Sequence, residues 1–533
     1  MTTAAQAAAR DAAAIAAGIP SRALMQRAGA AAAAEIALRY PFHVNDGAFV
    51  LAGPGNNGGD AWVVARALAA AGVAVRVYEP VEARAPDAVA ERTLALPTLM
   101  TVDRETAQSG RVLPVFGERL VIDGLLGTGA TGAPRGPLVS AIDWIERLRA
   151  NGATVVALDV PSGIDATTGL CERSVVADVT LTFGTMKRGL LTARDRCGAI
   201  AVLDIGLGAH GELDDGAPPI VDASWVARVL PPIPADAHKG TRKRIAIVGG
   251  AEGMAGASVL AARAAARSGV GMVKLLVAPP SMPAVQEAEP SALAAAWPAD
   301  DKALQREVGD WADIVAMGPG LGRSPESRRL VELILRSWRG PAVVDADALN
   351  VFSGDADALA RLLEDRPALL TPHPAEFARL AEMEIDEVLA SRFEVGRTLA
   401  KRCHATVLLK GVPTIVTSRG GEQLVSASGS PVLATAGSGD LLTGIAATLL
   451  AQIGDPLVAG AAAAWAHGRA AELAQGAPNV GHRPTRGVTL DDVLSALPGV
   501  WQIDARPARY PVLTELPAVG DAFRSVGAEA ARV

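Results

Sequence analysis

The chain has 533 residues, of which 50% are hydrophobic and 20% are charged, and its formal net charge at pH 7 is −7. This length is too great for one hydrophobic core and predicts at least two globular domains. The negative charge excludes a general attraction to nucleic acid or to anionic membranes, and charge, glycine or proline interrupts every alanine-rich segment before it reaches membrane-spanning length.

The three cysteines, Cys171, Cys197 and Cys403, are too few and too widely spaced for a disulfide framework or a zinc site. No basic region leads into a signal-type apolar stretch at the N-terminus, so export is not expected. We therefore expect a cytoplasmic homo-oligomer with no nucleic-acid partner and no membrane partner.

The first predicted elements are two helices within residues 4–40, separated at Pro20-Ser21. An apolar strand at 48–52 follows, then Gly53-Pro-Gly-Asn-Asn-Gly-Gly-Asp60 and a helix over 61–71. A strand, a glycine-rich turn and a helix in this order form the front half of a phosphate- or dinucleotide-binding unit. Glycine turns also occur in structural loops, but the Asn56-Asn57 pair with Asp60 adds hydrogen-bonding groups that such a loop does not require. The pattern therefore favours a ligand site.

Two further predicted strands end in carboxylates. Residues 120–123 end at Asp123 before a glycine-rich loop, and residues 154–159 end at Asp159 before Val160-Pro-Ser-Gly-Ile-Asp165. In a parallel sheet the carboxyl ends of the strands share one edge, so Asp60, Asp123, Asp159 and Ser162 are expected to converge. Each aspartate could instead cap a turn or a helix.

These motifs resemble the NAD(P)H-hydrate epimerase family over about residues 10–210. The resemblance rests on Gly53–Asp60, on Gly127-Thr-Gly-Ala-Thr-Gly132 and on Leu158-Asp-Val-Pro-Ser-Gly-Ile-Asp165. It implies a Rossmann-like domain that interconverts the R and S hydrates of NADH and NADPH (NADHX and NADPHX) at C6 of the nicotinamide ring, with Asp159 as acid/base. One departure is Ala61, which stands where the family usually has glycine and whose methyl group could crowd the loop.

The same resemblance implies that the substrate-binding residues are Asn56, Asn57, Gly58, Gly59, Asp60, Gly127, Thr128, Gly129, Ala130, Thr131, Gly132, Ala133 and Asp159. It implies that Asn57, Asp123 and Ser162 supply oxygens to a potassium ion.

A change in sequence character predicts the domain boundary. Residues 211–237 are rich in turns and proline and have little periodicity, so we predict a linker between a first domain at 1–210 and a second at 238–500. The second half then alternates apolar strands with loops or helices, which predicts a mostly parallel sheet between helices. Strands are expected at 244–248, 269–277 and 313–317, another ends with Asp345 and Asp347 within 341–349, and 369–377 and 406–414 each contain a strand followed by a loop.

The stretch Leu433-Ala-Thr-Ala-Gly-Ser-Gly-Asp-Leu-Leu-Thr-Gly444 predicts a tight glycine turn that leads into a helix over 441–451. Gly437 and Gly439 are expected to reach positive φ and to let a ligand approach the backbone. The first amides of the helix lack intrahelical partners and would bind an anion such as a phosphate. Asp440 could act there as a general base toward a substrate hydroxyl, or it could only cap the helix.

The second half resembles the ribokinase-like superfamily and, within it, the NAD(P)H-hydrate dehydratase family over about residues 235–498. The distinguishing motifs are His238-Lys-Gly240, Gly249-Gly-Ala-Glu-Gly-Met-Ala-Gly256, Gly318-Pro-Gly-Leu-Gly322, Asp345-Ala-Asp-Ala-Leu-Asn350 and Thr371-Pro-His-Pro-Ala-Glu-Phe377. The resemblance implies that this domain dehydrates the S hydrate at the expense of ADP, with Mg²⁺, giving AMP and phosphate. It implies substrate contacts by Ala257, Gly320, His373 and Asp440, and nucleotide contacts by Lys410, Gly411, Val412, Pro413, Thr414, Gly437, Ser438 and Gly439.

Two of these residues have simpler alternatives. His373, between two prolines, could be part of a rigid surface turn, and Lys410 could be a solvent-exposed residue at a strand end. Position at the functional edge of the sheet favours a ligand contact for both. His404 and His467 have no such setting and are predicted to be structural.

The sequence therefore predicts an α/β protein with two three-layer αβα domains, an N-terminal Rossmann-like domain and a C-terminal ribokinase-like domain, followed by an irregular tail at 501–533. The predicted function is bifunctional repair of hydrated NADH and NADPH. Two alternatives are a kinase for a small alcohol with a regulatory N-terminal domain, and a non-catalytic nucleotide sensor.

Overall fold

The computed structural model describes residues 1–104, 118–208, 216–364, 366–476, 484–503 and 508–519. The chain divides into two units, one formed by residues 1–217 together with residues from 507 onward, and one formed by residues 218–506. Residues 211–215 of the predicted linker and residues 504–507 and 520–533 of the predicted tail lie outside the described ranges.

Among the described residues, the first unit is built on a sheet of eight strands. In chain order they are β1 (Ala48–Ala52), β2 (Val75–Tyr78), β3 (Met100–Val102), β4 (Leu120–Gly124), β5 (Thr154–Leu158), β6 (Val179–Phe183), β7 (Ala199–Leu203) and β17 (Val512–Leu516). They lie in the order β17-β7-β6-β5-β4-β1-β2-β3, and all pairs are parallel except β17 with β7. The helices are Ala4–Ala16, Ser21–Arg39, Asn56–Ala70, Pro86–Ala95, Pro137–Ala150, Arg188–Thr192 and Arg194–Cys197.

Helices cover both faces of this sheet. Along β1, Ala48, Val50 and Ala52 pack into one hydrophobic cluster, whereas Phe49 and Leu51 pack into another on the opposite face. Such burial on both faces explains why β1 is apolar without interruption. The predicted break between the first two helices and the predicted strand at 48–52 are confirmed.

The C-terminal residues are not entirely irregular, in contrast to the prediction. Residues 512–516 form β17, which adds antiparallel to the edge strand β7 of the first unit. Alternating side chains of β17 are buried and exposed, as expected for an edge strand with one face toward the core. The sequence signal was weak because a single five-residue strand has no local partner.

In the part of the second unit that the structure describes, the sheet has nine strands. They are β8 (Arg244–Val248), β9 (Met272–Val277), β10 (Leu293–Ala296), β11 (Ile314–Met317), β12 (Ala342–Val344), β13 (Ala368–Leu370), β14 (Thr406–Leu409), β15 (Thr414–Thr417) and β16 (Gln423–Ser426). The order is β10-β9-β8-β11-β12-β13-β14-β15-β16, parallel from β10 to β14 and antiparallel for the last two pairs.

The helices of the second unit are Ala223–Val229, Ala255–Arg267, Met282–Ala288, Asp301–Leu304, Pro325–Ser337, Ala346–Asn350, Ala356–Leu363, Pro374–Ala381, Ile385–Ala390, Val395–Arg402, Ser438–Ile453, Pro456–Gln475 and Leu490–Val500. Alternate residues of β8 again enter clusters on opposite faces of the sheet, Ile245 and Ile247 on one and Ala246 and Val248 on the other. The α/β class with three layers in each unit is confirmed. No helix within the described ranges is long and apolar enough to cross a membrane.

Part of the predicted linker belongs to the second unit. The amide of Val221 donates to the carbonyl of Val425 over 2.8 Å, and Ile220 forms a parallel bridge with Val425. Val221 and Val226 are buried in the core of this unit. Residues 218–230 are therefore part of the second unit and not of an extended linker. Most of their apolar side chains are buried in its core or packed against it, and Ile220 pairs with β16.

Candidate active sites

The first candidate site is a cavity of about 770 Å³ at the carboxyl ends of β1, β4 and β5. This volume is within the range of small-molecule sites. The helix Ala4–Ala16 forms one wall of the cavity. The predicted residues that line it are Asn56, Asn57, Asp60, Gly127, Thr128, Gly129, Ala130, Thr131 and Asp159.

Asp159 is held at the cavity wall by a lysine and a threonine. The Lys187 ammonium lies 2.6 Å from Asp159 Oδ1, and the amide of Thr128 donates to Asp159 Oδ2 over 2.9 Å. Burial alone would raise the pKa of Asp159, but the charge and hydrogen bond of Lys187 and the bonds from Thr128 outweigh it and lower the pKa. The carboxylate is therefore ionised. Its backbone has φ 62°, an uncommon value for a residue other than glycine and one that occurs preferentially at functional sites.

Two further carboxylates face the same cavity. Burial and the charges of Asp159 and Asp11 raise the pKa of Asp60 well above its usual value. Burial also raises the pKa of Asp11, which lies on the helix Ala4–Ala16. One wall of the cavity therefore combines an ionised carboxylate with carboxyl groups that retain their protons to higher pH.

Asp123 and Ser162 form a second layer that does not line the cavity. Ser162 donates its amide to Asp123 Oδ2 over 2.8 Å and its hydroxyl to Asp123 Oδ1 over 2.6 Å. Asn57 donates from Nδ2 to the carbonyls of Leu126 and Leu158, whereas its buried Oδ1 has no hydrogen-bond partner among the described residues. Burial raises the pKa of Asp123 to about 6 against the hydrogen bonds from Ser162. The expected convergence of these strand ends is observed, but in two layers.

Four of the residues predicted to bind substrate do not line the cavity. A Cβ on Gly58 would lie 1.9 Å from the carbonyl oxygen of Gly53, and one on Gly59 would lie 2.5 Å from the sulfur of Met25, so both glycines permit close packing. Gly132, with φ 76°, and Ala133 lie outside the cavity lining. The helix begins at Asn56, five residues earlier than predicted, which places the Asn-Asn-Gly-Gly-Asp segment within it.

Ala61 does not crowd the loop, in contrast to the expectation. Its side chain is fully buried and is absent from the cavity lining. A Cβ added to Gly124 would lie 2.5 Å from the Ala61 methyl group. The methyl group therefore fills the space that Gly124 leaves at the end of β4.

The second candidate site lies at the carboxyl ends of β8, β11, β12, β13 and β14. Two glycine loops meet there, because the amide of Gly250 donates to the carbonyl of Pro319 over 2.9 Å and that of Ala251 donates to Gly320 over 2.7 Å. Gly320 has φ 58°, and a Cβ on it would lie 3.0 Å from that of Ala257. Ala257 and Gly320, both predicted to contact substrate, are thus neighbours.

A charged cluster occupies the centre of this edge. The Lys410 ammonium lies 2.9 Å from Asp345 Oδ1 and 3.6 Å from Glu376 Oε2, and the hydroxyl of Thr443 donates to Asp345 Oδ2 over 2.6 Å. Burial opposes ionisation of Asp345, but the charge of Lys410 outweighs it and lowers the pKa of Asp345. Burial raises the pKa of Glu376. Lys410 is therefore a largely buried, paired cation and not a solvent-exposed lysine.

The glycine turn begins the helix Ser438–Ile453 directly beside this cluster. Gly437, with φ 93°, is the N-cap, and no side chain caps the helix, so the capping interpretation of Asp440 is not observed. Gly439 is helical and does not need positive φ, contrary to the prediction, but a Cβ on it would lie 3.5 Å from Lys410 Nζ. The helix start at Gly439 therefore lies directly beside the lysine.

Asp440 has an altered acidity. Burial, followed by the negative charge of Asp345, raises its pKa from 3.8 to about 7, although Lys410 acts in the opposite direction. A carboxylate with this pKa can exchange a proton near neutral pH.

His373 is part of a rigid turn, as one interpretation of its sequence position predicts, and its contact with a ligand stays a prediction. It is the N-cap of the helix Pro374–Ala381, where its Nδ1 accepts from the amides of Ala375 and Glu376. Burial, followed by the charge of Lys410, lowers the pKa of His373 to about 4, so the imidazole is neutral. The cap uses only Nδ1 of the ring. The other ring nitrogen, Nε2, lies 3.3 Å from Glu376 Oε1.

The predicted nucleotide loop, residues 410–414, is held from beneath by a buried arginine. Arg392 donates from Nη1 to the carbonyl of Val412 over 2.7 Å, and a Cβ on Gly411 would lie 2.3 Å from Arg392 Nη2. Burial lowers the pKa of Arg392 to about 10. Val412 is exposed at the tip of this loop.

Sequence reasoning assigned no role to five residues of the two sites: Asp11, Lys187, Asp345, Glu376 and Thr443. Asp345 and Glu376 occur in motifs that were recognised, and the position of Asp345 directly after β12 is a signal that was available. Lys187 follows β6 by four residues, and Asp11 lies on an alanine-rich helix without any motif. Their proximity depends on contacts between distant parts of the chain.

Comparisons with known proteins agree with the division into two sites. The family model described as YjeF-related protein N-terminus matches residues 21–189, and the NAD(P)H-hydrate dehydratase family model matches residues 245–489. A bifunctional NAD(P)H-hydrate repair enzyme of Salinibacter ruber is 37% identical over 77% of this chain and 80% of its own length. The enzyme of that name from Escherichia coli is 33% identical over 74% of each chain.

Among solved structures, an ADP/ATP-dependent NAD(P)H-hydrate dehydratase from Bacillus subtilis, co-crystallised with ATP and Mg²⁺, is 27% identical. The match covers 54% of this chain and 98% of that chain, with a TM-score of 0.47. Two family matches in the expected order, and relatives above 30% identity over most of both chains, lead to one conclusion. The chain belongs to the family of bifunctional NAD(P)H-hydrate repair enzymes.

Proposed function

We propose that the first unit interconverts the R and S hydrates of NADH and NADPH, and that the second unit dehydrates the S hydrate with a nucleoside phosphate. The observation that carries this proposal is the position of Asp440. This carboxyl group, with a pKa of about 7, lies in the first turn of a helix without a side-chain cap, where the charge of Lys410 acts on it. The family relationship supports the pairing of this chemistry with an epimerase.

The second site provides a route for dehydration. Hydroxide is a poor leaving group, whereas phosphate is a good one. Asp440 takes the proton of the C6 hydroxyl as its oxygen attacks the terminal phosphorus of ADP, and AMP leaves. The amides of Gly437 and Gly439 and the Lys410 ammonium stabilise the charge on the transferred group. Phosphate then leaves from C6 with its bonding electrons, a proton leaves from C5, and the 5,6 double bond is restored.

Other roles in this site follow from the same geometry. Ala257, Gly320 and His373 would border the nicotinamide, and residues 410–414 would bind the nucleotide. ADP as the donor is an inference from the family resemblance. No group of three or more His, Cys, Asp or Glu side chains that could hold a metal ion occurs within the described ranges. Mg²⁺ usually binds through substrate phosphates, waters and one or two carboxylates, so it would enter this site together with the nucleotide.

The first site provides a general base, Asp159, for inversion at C6. This carbon carries both the hydroxyl group and the ring nitrogen, so inversion can proceed by opening and closing the ring. Asp159 would accept the hydroxyl proton as the C6–N1 bond breaks, with the electron pair going to N1, and a proton would reach N1 from the cavity. Rotation about the C5–C6 bond and reversal of these steps give the other epimer.

A potassium ion fits the layer beneath this cavity. Asn57 Oδ1 is a buried acceptor without a donor, and Asp123 is a buried carboxylate without a cation among the residues that the structure describes. Potassium prefers such oxygen ligands. Asn57, Asp123 and Ser162 would hold the ion, which would supply positive charge below the cavity floor. A cytoplasmic location and a homo-oligomeric state stay predictions from sequence.

The proposal is tested with a mixture of both NADHX epimers, with and without ADP and Mg²⁺, by following the near-ultraviolet absorbance of NADH. Complete recovery that depends on ADP is expected, with the same result for NADPHX. Rapid recovery of the S fraction alone would refute the epimerase. A phosphorylated product that accumulates without elimination would refute the dehydratase and support a kinase.

A further inference from the structure

Lys187 lies in the wall of the first cavity but belongs to none of the glycine-rich motifs. Its side chain is buried, and its ammonium group has three hydrogen-bond partners. These are Asp159 Oδ1 at 2.6 Å, Phe183 O at 2.8 Å and Thr182 Oγ1 at 3.0 Å. An ammonium group has three donors, so all three are engaged and none is available to a bound ligand.

The backbone on both sides of Lys187 is also fixed. The amide of Thr2 donates to the carbonyl of Met186 over 2.8 Å, and the amide of Arg188 donates to the carbonyl of Thr2 over 2.8 Å. These two bonds form a parallel bridge between Thr2 and Lys187. The segment that follows Thr2 is the helix Ala4–Ala16, which carries Asp11 into the cavity wall.

Asp159 in turn connects Lys187 to the glycine loop. Its Oδ2 accepts hydrogen bonds from the amide and the hydroxyl of Thr128. A Cβ on Gly127 would lie 3.1 Å from the same oxygen, so the loop approaches the carboxylate closely. The contacts therefore run from Lys187 through Asp159 to Thr128.

We propose that Lys187 is the positioning residue of the epimerase site, which fixes the orientation of Asp159 and thereby sets the place of the loop at Gly127–Ala133. This inference rests on the proposed epimerase function. Lys187 acts through Asp159 and does not contact the substrate, because its donors are engaged. Without the ammonium group, the buried carboxylate would lose its only cationic partner at hydrogen-bond distance among the described residues.

The test measures exchange between purified R and S epimers by chromatography, without ADP, so that dehydration does not contribute. Lys187→Ala is expected to lower kcat about 10²-fold, the cost of a reacting group displaced by about 1 Å, with little change in KM. Methylammonium should restore part of the rate, whereas tetramethylammonium, which has no N–H donor, should not. Equal rates for Lys187→Ala and the wild-type chain would overturn the proposal.

A double-mutant comparison decides whether Lys187 acts through Asp159. In an Asp159→Asn background, Lys187→Ala should cause no further loss of kcat. A further loss as large as in the wild-type background would assign Lys187 an independent role and overturn the proposal. No exchange by the wild-type chain would instead refute the epimerase assignment itself.

Two additional variants separate positioning from folding. Thr182→Val keeps the shape of a fully buried side chain but removes one acceptor of Lys187, and a loss of about tenfold in kcat is expected. An unchanged kcat for Thr182→Val would count against the proposal even if Lys187→Ala does not fold. Arg76→Met is the matched control, because it breaks a buried ion pair with Glu118 near the opposite edge of the sheet. It should lower stability without changing kcat.

Discussion

The pH dependence of dehydration follows from the environment of Asp440. If the ionised form is the base, the fraction of active enzyme at a pKa of about 7 is about one eleventh at pH 6 and about ten elevenths at pH 8. The kcat/KM for the S hydrate should therefore rise about tenfold over this interval. An aspartate at its usual pKa of 3.8 would be ionised at both values and would give a flat profile.

The assay is NADH recovery from the pure S hydrate at saturating ADP and Mg²⁺ between pH 5 and 9. Asp440→Asn should abolish most of the dehydration, leave epimer exchange unchanged, and make any residual activity independent of pH. A rise that persists in Asp440→Asn would come from the nucleotide phosphates or another group and would refute the reasoning. A midpoint below pH 5 in the wild-type chain would also refute it.

The same pKa has a consequence for stability. The pKa of Asp440 is higher in the folded state than its usual 3.8. The contribution of Asp440 to the free energy of unfolding is therefore most favourable below pH 4 and is lost as the pH rises to about 7. The full cost, at 1.36 kcal/mol for each pH unit between 3.8 and about 7, is at most about 4 kcal/mol. Asp440→Asn should therefore raise the unfolding temperature at pH 8 more than at pH 5, so that activity and stability change in opposite directions.

Three further substitutions test the rest of the two sites. Asp159→Ala should confine rapid repair to the S hydrate, and continued rapid use of the R hydrate would remove Asp159 from the mechanism. Gly439→Val should weaken ADP binding at least about tenfold in calorimetry, because its side chain would fill the space beside Lys410. Arg392→Met should raise the KM for ADP more than it lowers kcat, because it frees the carbonyl of Val412 in the nucleotide loop.

The sequence predicted those features that depend on neighbouring residues. Apolar runs predicted β1, β4, β5 and β8 with errors of at most one residue, because buried parallel strands are apolar on both faces. The convergence of Asp123 and Ser162 was also predictable, since Asp123 lies near the end of β4 and Ser162 follows β5, the adjacent parallel strand. Local pattern and sheet topology suffice for such contacts.

Features that depend on distant residues were not predictable. Lys187 resembles a surface lysine in the sequence, but it is buried, and its backbone forms a bridge with the distant residue Thr2. The strand β17 is stable only beside β7, about three hundred residues earlier in the chain. The acidity of Asp440 comes from burial and from Asp345, neither of which a glycine-turn motif encodes.

Both sites use the same electrostatic arrangement. In each, a buried lysine holds one carboxylate ionised, Lys187 with Asp159 and Lys410 with Asp345. In each, that fixed negative charge and burial raise the pKa of a second carboxyl group, Asp60 in the first and Asp440 in the second. When two carboxyl groups in one pocket have different pKa values, one can accept a proton and the other can donate a proton near neutral pH.

The two lysines differ, however, in how many of their hydrogen-bond donors are engaged within the protein, and this difference matches the two reactions. Lys187 has all its donors engaged within the protein, as suits a site that transfers no phosphoryl group. Lys410 lies 2.9 Å from Asp345 and 3.6 Å from Glu376, and it adjoins the open amides at Gly439. A donor of Lys410 can therefore turn toward a phosphoryl group, which an epimerase does not handle and a nucleotide-dependent dehydratase must stabilise.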